Sequence, residues 1–154
     1  TAHLKALAVH PEFRGCSLQR KMMELHLGVL KEMGYRHVCS TVSPKNYFSL
    51  KNFFSKGFVI RGLKIKYGSM LRYIMHRDLT APAGHCLKFS GTGLDRSGTG
   101  KTSEMHLRKA TGELRINSLD TKRQLELLGC GFVGFKVEGS AEAFEVAYAL
   151  EKTI

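Results

Sequence analysis

The chain has 154 residues, with 24 Lys and Arg against 13 Asp and Glu and a hydrophobic fraction of 43%. This length allows one ordinary domain or two very small ones, and the hydrophobic fraction is sufficient for a buried core. No apolar run approaches the ~20 residues of a membrane span. No basic segment followed by an apolar stretch opens the sequence, so a signal peptide is not expected either.

The positive charge is concentrated in the first half. Residues 1–80 carry 14 Lys and Arg against 4 Asp and Glu, whereas residues 81–154 carry 10 against 9. The first half therefore favours an anionic partner, and charge alone leaves nucleic acid, a phosphorylated cofactor and an acidic protein open. A solvated basic face without a specific partner is the simplest alternative.

The four cysteines, Cys16, Cys39, Cys86 and Cys130, lie far apart and form no C-x-x-C pair. The seven histidines are likewise scattered. This distribution favours reduced thiols in a cytoplasmic protein and predicts neither a disulfide framework nor a metal site.

In chain order, the first half predicts strand, helix, strand, helix, strand and strand. The mostly apolar residues 4–9 predict a strand. Leu18, Met22, Leu25, Val29 and Met33 then recur at helical spacing and predict a helix that ends at Gly34. Residues 38–42 form the next strand, residues 46–55 a second helix stopped by Gly57, and residues 58–63 and 70–77 a pair of strands.

Beyond Pro82 and Gly84 the composition changes, which predicts a boundary. Residues 90–102 are rich in Gly, Ser and Thr and predict a mobile loop. Its Gly98–Thr102 run lacks the first glycine of a phosphate-binding loop, since Asp95 stands there, so no nucleotide site is expected. Residues 105–109 and 114–117 suggest a hairpin, Asp120 caps a helix to residue 128, and 132–137 and 144–149 are two more strands. No internal repeat is expected.

A candidate anion site follows the first strand. Val9-His10-Pro11 is followed by Arg14-Gly15-Cys16-Ser17-Leu18-Gln19, a turn that leads into the first turn of the helix. Free backbone N–H groups at a helix N-terminus, with cations beside them, attract an anion. The pattern resembles the acyl-CoA pyrophosphate loop of the GNAT N-acetyltransferase superfamily, although Ser17 and Gln19 stand where glycines are usual.

A second match is Asn46, which follows the next strand and precedes Gly57-Phe58 at the spacing of this superfamily. By resemblance Asn46 would bind the pantetheine arm, whereas its alternative role is to cap the helix. The general acid and base are not identified. Phe53 stands where many members have tyrosine, no carboxylate lies in residues 37–43, and His10, Glu12 or a water chain remain as possible bases.

The resemblance covers residues 4–79. It implies an α/β fold with a GNAT-like mixed sheet and flanking helices, lacking the usual N-terminal portion and followed by a small α+β region. Residues 1–80 would be the acyl-CoA-binding region, with 81–154 of unknown role. The implied cofactor contacts are Leu7, Ala8, Val9, Arg14, Gly15, Cys16, Ser17, Leu18, Gln19, Arg20 and Asn46.

The implied function is transfer of an acetyl or other acyl group from CoA to an amine of a small molecule or protein, with acetyl-CoA as co-substrate. The alternative is a module without catalysis, which binds CoA or binds nucleic acid through the basic first half. No membrane partner is expected.

Overall fold

The structure is a computed structural model, and it describes residues 1–5, 8–81 and 112–150. The strands are β1 (Ala2–His3), β2 (His37–Val42), β3 (Val59–Lys66), β4 (Met70–Asp78), β5 (Leu114–Asn117), β6 (Phe132–Gly139) and β7 (Phe144–Leu150). The helices are α1 (Leu18–Glu32), α2 (Tyr47–Ser55) and α3 (Thr121–Gly129), with a short 3-10 turn at Pro11–Phe13. None of the helices in these ranges is long and apolar enough to cross a membrane.

All seven strands belong to one mixed sheet in the order β1-β2-β4-β3-β6-β7-β5. β1 and β2 are parallel, and the other pairs are antiparallel. The α/β class is therefore confirmed. The sheet passes across the predicted boundary, because Ile60 of β3 pairs with Gly134 of β6. The boundary residues Pro82 and Gly84, the loop 90–102 and the segment 105–109 lie outside the described residues.

Most of the predicted elements are confirmed, because local signals start and stop them. α1 ends before Gly34 at φ +79°, and α2 ends before Gly57 at φ +75°. These left-handed conformations are inexpensive only for glycine. The β3–β4 hairpin, α3 and the last two strands also form close to their predicted bounds.

The predicted strand over residues 4–9 is wrong. The strand that the structure shows is Ala2–His3, and Leu4 adds one further bond when its N–H donates to the carbonyl of Cys39 over 2.8 Å. Ala8 and Val9 lie in irregular backbone, and Leu7 lies outside the described residues. Where the ladder stops, Ser40 Oγ donates to the Leu4 carbonyl (2.8 Å). This buried hydrogen bond satisfies the carbonyl without a further strand residue.

The apolar residues whose spacing predicts α1 are not those that the helix buries. Met23 and Leu27 are buried, whereas Leu25 is 70% exposed and Met33 is 65% exposed. The helix is apolar on two neighbouring stripes, so its hydrophobic period alone does not distinguish them. Packing in the tertiary structure selects the stripe that contains Met23.

The two halves share an internal repeat, which the sequence analysis did not predict. Each has a strand, a capped helix and a hairpin, and the cap residues Asn46 and Asp120 each accept a hydrogen bond from the N–H three residues on. Eleven residues after each cap comes a glycine at positive φ, Gly57 or Gly131, followed by phenylalanine. Both hairpins contain a bulge at the corresponding position, after Ile60 and after Gly134.

The repeats meet back to back in the middle of the sheet, because the paired residues Ile60 and Gly134 occupy corresponding positions. In the sheet, β5 is the outermost strand of the second repeat. Within the described residues, no strand that corresponds to β1 lies beyond it. Buried side chains from both repeats and from all three helices form a single hydrophobic cluster. Few sequence identities accompany this repeat, which explains why inspection of the sequence missed it.

Candidate functional site: the N-terminus of α1

The N-terminus of α1 is built by a turn with two left-handed residues. Gly15 has φ +84°, and Ser17, the residue before the helix, has φ +56°. The first helical bond runs from Lys21 N–H to the Ser17 carbonyl, so the preceding N–H groups of the helix have no partner within it. No side chain in the described part of the chain caps them. The turn therefore exposes amides that can bind an anion.

Cations surround this terminus. Arg20 Nη2 donates to Ser17 Oγ over 2.5 Å, which holds the guanidinium over the first turn. Arg14 lies nearby in the loop, where its Nε donates to the Val9 carbonyl at 3.5 Å. No acidic residue occurs in the first turn of α1. The amides and the guanidinium groups thus place positive potential on the same side of the molecule.

Gln19 joins α1 to α2 instead of facing an anion. Its Oε1 accepts from Asn52 Nδ2 (2.7 Å), and its Nε2 donates to Ser49 Oγ (3.3 Å). One turn further on, Lys56 forms an ion pair with Glu24 at 2.9 Å. The position that departs from the glycine of the superfamily pattern is therefore occupied by a side chain that fixes the two helices together.

Asn46 lies on the same side of the molecule as this contact. Its Oδ1 accepts from the N–H of Ser49 at 3.0 Å, so Asn46 is the cap of α2. Ser49 thereby connects Asn46, through its N–H, to Gln19, through its Oγ. The capping role is shown, and it leaves the Asn46 amide nitrogen without a hydrogen bond to the described residues.

The remaining predicted cofactor contacts lie in the segment before α1 and in its first turn. Ala8, Cys16 and Arg20 are exposed, and Val9, Ser17 and Leu18 are half-buried. On the side that β1 occupies, the backbone of the described residues pairs with β2 only as far as Cys39. No described residue extends this ladder along residues 40–42. Ala8 and Val9 belong to no strand of the sheet.

The residues considered for proton transfer lie either in the hydrophobic core or mostly in solvent. Phe53 is 6% exposed and packs edge-on against Phe58, with ring centroids 4.9 Å apart, so it is a core residue. His10 Nδ1 and Glu12 Oε2 are 3.7 Å apart, but both side chains are mostly in solvent, at 64% and 79% exposure. Solvent screens such a pair.

Ser49 and Asn52 are the residues of this site that the sequence analysis did not assign. Their signal was present, because Asn46, Ser49 and Asn52 recur every three residues and so fall on one polar side of a short helix.

A comparison with protein-family models, with curated proteins and with solved structures found no match for this chain.

Proposed function

We propose that the chain binds acetyl-CoA or another acyl-CoA at the N-terminus of α1 and transfers the acyl group to an amine. The observation that carries this proposal is the set of uncapped amides after Ser17, flanked by Arg14 and Arg20. Such a terminus provides hydrogen-bond donors and positive potential for a pyrophosphate. The resemblance of the surrounding motifs to the GNAT superfamily adds the choice of CoA.

The contact between α1 and α2 supports the same proposal. The Gln19–Asn52 and Gln19–Ser49 hydrogen bonds fix the amides of α1 relative to the Asn46 cap. A cofactor that reached from the pyrophosphate position toward β2 would meet both groups in a fixed geometry. Preorganised donors of this kind lower the entropic cost of binding.

Transfer itself requires little from the protein if the thioester and the amine are held together. Orientation supplies much of the rate when a neutral amine attacks a thioester. The burial of Phe53 favours a second candidate, a module that binds CoA without catalysis, because the usual proton donor to the departing thiolate is replaced by a core side chain.

A matched pair of variants at Ser17 tests the binding claim. In Ser17→Glu the carboxylate would occupy the anion site and repel the pyrophosphate, so acetyl-CoA affinity should fall at least tenfold. In Ser17→Gly the left-handed backbone is retained or favoured, so binding should persist. Calorimetry and the thermal shift with acetyl-CoA measure both. If Ser17→Glu binds acetyl-CoA as tightly as Ser17→Gly does, the proposed site is wrong.

A second pair separates the two roles of Asn46. Asn46→Asp keeps an oxygen that can cap α2 but loses the amide donor, whereas Asp120→Asn makes the reverse change at the corresponding cap of the second repeat. We expect only Asn46→Asp to weaken acetyl-CoA binding.

Release of free thiol from acetyl-CoA in the presence of an amine distinguishes transfer from binding alone, since a module without catalysis releases none.

A further inference from the structure

The hairpin of the first repeat extends beyond the sheet as a two-stranded ribbon. Within the described residues, β3 pairs with β6 only at Ile60, and β4 pairs with β2 only from Tyr73 onward. Residues 64–72 are therefore bonded only to each other, through the pairs Lys64–Arg72, Ile65–Leu71 and Lys66–Met70. We call this segment the basic ribbon.

Charge in and around the basic ribbon is entirely positive. Residues 57–77 include five Lys and Arg and no Asp or Glu. Lys64 stands directly across from Arg72, and Lys66 lies two residues along the same face. Like charges at directly opposed positions destabilise a sheet. The fold thus retains an unfavourable pair of like charges in the basic ribbon.

Arg72 has no carboxylate partner among the described residues. Its Nη2 donates to the sulfur of Met70 at 3.3 Å, and its guanidinium carbon lies 5.8 Å from the centre of the Tyr67 ring. Its Nε is buried without a hydrogen-bond acceptor. A guanidinium that lacks a carboxylate partner within the described ranges, next to two lysines, is suited to an anionic ligand.

The second repeat provides an internal comparison. At the corresponding hairpin, Lys136 pairs with Glu138 at 2.6 Å, and Arg115 of the neighbouring strand also pairs with Glu138 at 2.9 Å. Cations on that hairpin are neutralised by acids on the same surface. Two hairpins of the same architecture therefore differ in whether their cations are neutralised, which indicates that the uncompensated charge of the basic ribbon is not a requirement of the fold.

We propose that the basic ribbon binds double-stranded nucleic acid through its phosphates. Lys64, Lys66 and Arg72 lie on one face of the basic ribbon, so they can contact the phosphates of a duplex together. The major groove accepts a two-stranded ribbon. At the tip, Tyr67 is 62% exposed and adds an apolar contact surface. This binding is independent of the acyl-CoA site.

The test is fluorescence anisotropy with a labelled DNA duplex of mixed sequence and about two helical turns, at salt concentrations from about 50 to 200 mM. The wild-type chain should bind with an affinity that falls steeply with salt. Lys64→Ala/Lys66→Ala should weaken binding at least tenfold and make the slope of log K against log salt shallower by about two. Acetyl-CoA binding should be unchanged in this variant.

The matched control is Lys122→Ala/Lys136→Ala, which removes the same number of charges from the second repeat and should leave the affinity and slope nearly unchanged. Lys64→Gln should weaken DNA binding without lowering the melting temperature, since it removes the repulsion with Arg72. Equal losses in both double variants would overturn the proposal, because net charge alone would then explain binding. Tighter binding to a single strand, or binding to anionic vesicles but not to the duplex, would also overturn it.

Discussion

Tyr73 and Tyr148, from different repeats, donate their hydroxyl hydrogens to the same oxygen, Oε1 of Gln124, at 2.6 and 2.8 Å. Gln124 is fully buried, and its Nε2 donates to the carbonyls of Asn117 and Ser118. Every polar atom of this side chain is therefore used. The network joins the centre of the sheet to α3 where the two repeats meet.

The first prediction concerns Gln124→Leu. This change leaves two buried hydroxyls without an acceptor, and each unsatisfied group costs about 1–3 kcal/mol. We expect the free energy of unfolding, measured in urea, to fall by about 2–5 kcal/mol. Leu125→Ala on the exposed side of the same helix is the control, with an expected change within about 0.5 kcal/mol. A loss below about 1 kcal/mol in Gln124→Leu would contradict the network.

The second prediction is a loss of stability in strong alkali. Burial raises the pKa of Tyr73 from 10.0 to about 12, and burial also raises the pKa of Tyr148. A group whose folded pKa is raised contributes stability that is complete below its unfolded pKa and is lost as pH rises through the folded value. The free energy of unfolding should therefore decline from pH 10 toward pH 12. In Tyr73→Phe the decline should be smaller, and an identical pH profile would refute the assignment.

The third prediction concerns the junction of the repeats. A Cβ added at Gly134 would lie 3.0 Å from Ile60 Cδ1, 3.1 Å from Ile60 Cβ and 3.2 Å from Tyr148 Cε1. We expect Gly134→Ala to lower the free energy of unfolding by about 1–3 kcal/mol through overpacking. Gly28→Ala, in open space on α1, should instead raise it by about 1 kcal/mol. Thermal and urea unfolding of both variants, compared side by side, would reveal whether the junction is as close as the structure indicates.

The fourth prediction tests which face of α1 packs on the core. Met23 is fully buried and Leu25 is 70% exposed. Met23→Ala should lower the free energy of unfolding by about 2–5 kcal/mol. Leu25→Ala should change it by less than about 0.5 kcal/mol, because its side chain is already in water. The reverse ranking in urea unfolding would show that the face of α1 containing Leu25 packs on the core.

Elements whose signals are local follow directly from the order of the amino acids. Asn46 and Asp120 mark helix starts because a side-chain oxygen can accept a hydrogen bond from the N–H three residues on, and Gly57 marks a helix end because it accepts positive φ at little cost. The turn at Gly15 and Ser17 could also be located in this way, because helix N-termini expose amides whatever surrounds them.

Features that depend on distant neighbours were set by the packing of the folded chain. The apolar period of α1 fits two stripes, and contact with the sheet selects Met23 over Leu25. In the sequence, Gln19 is only a departure from the usual glycine. In the folded protein, α2 places Ser49 and Asn52 beside it, and Gln19 forms a hydrogen bond with each. The repulsion between Lys64 and Arg72 and the meeting of Ile60 with Gly134 are set by strand register. Register depends on pairing between segments far apart in sequence, and no local propensity encodes it.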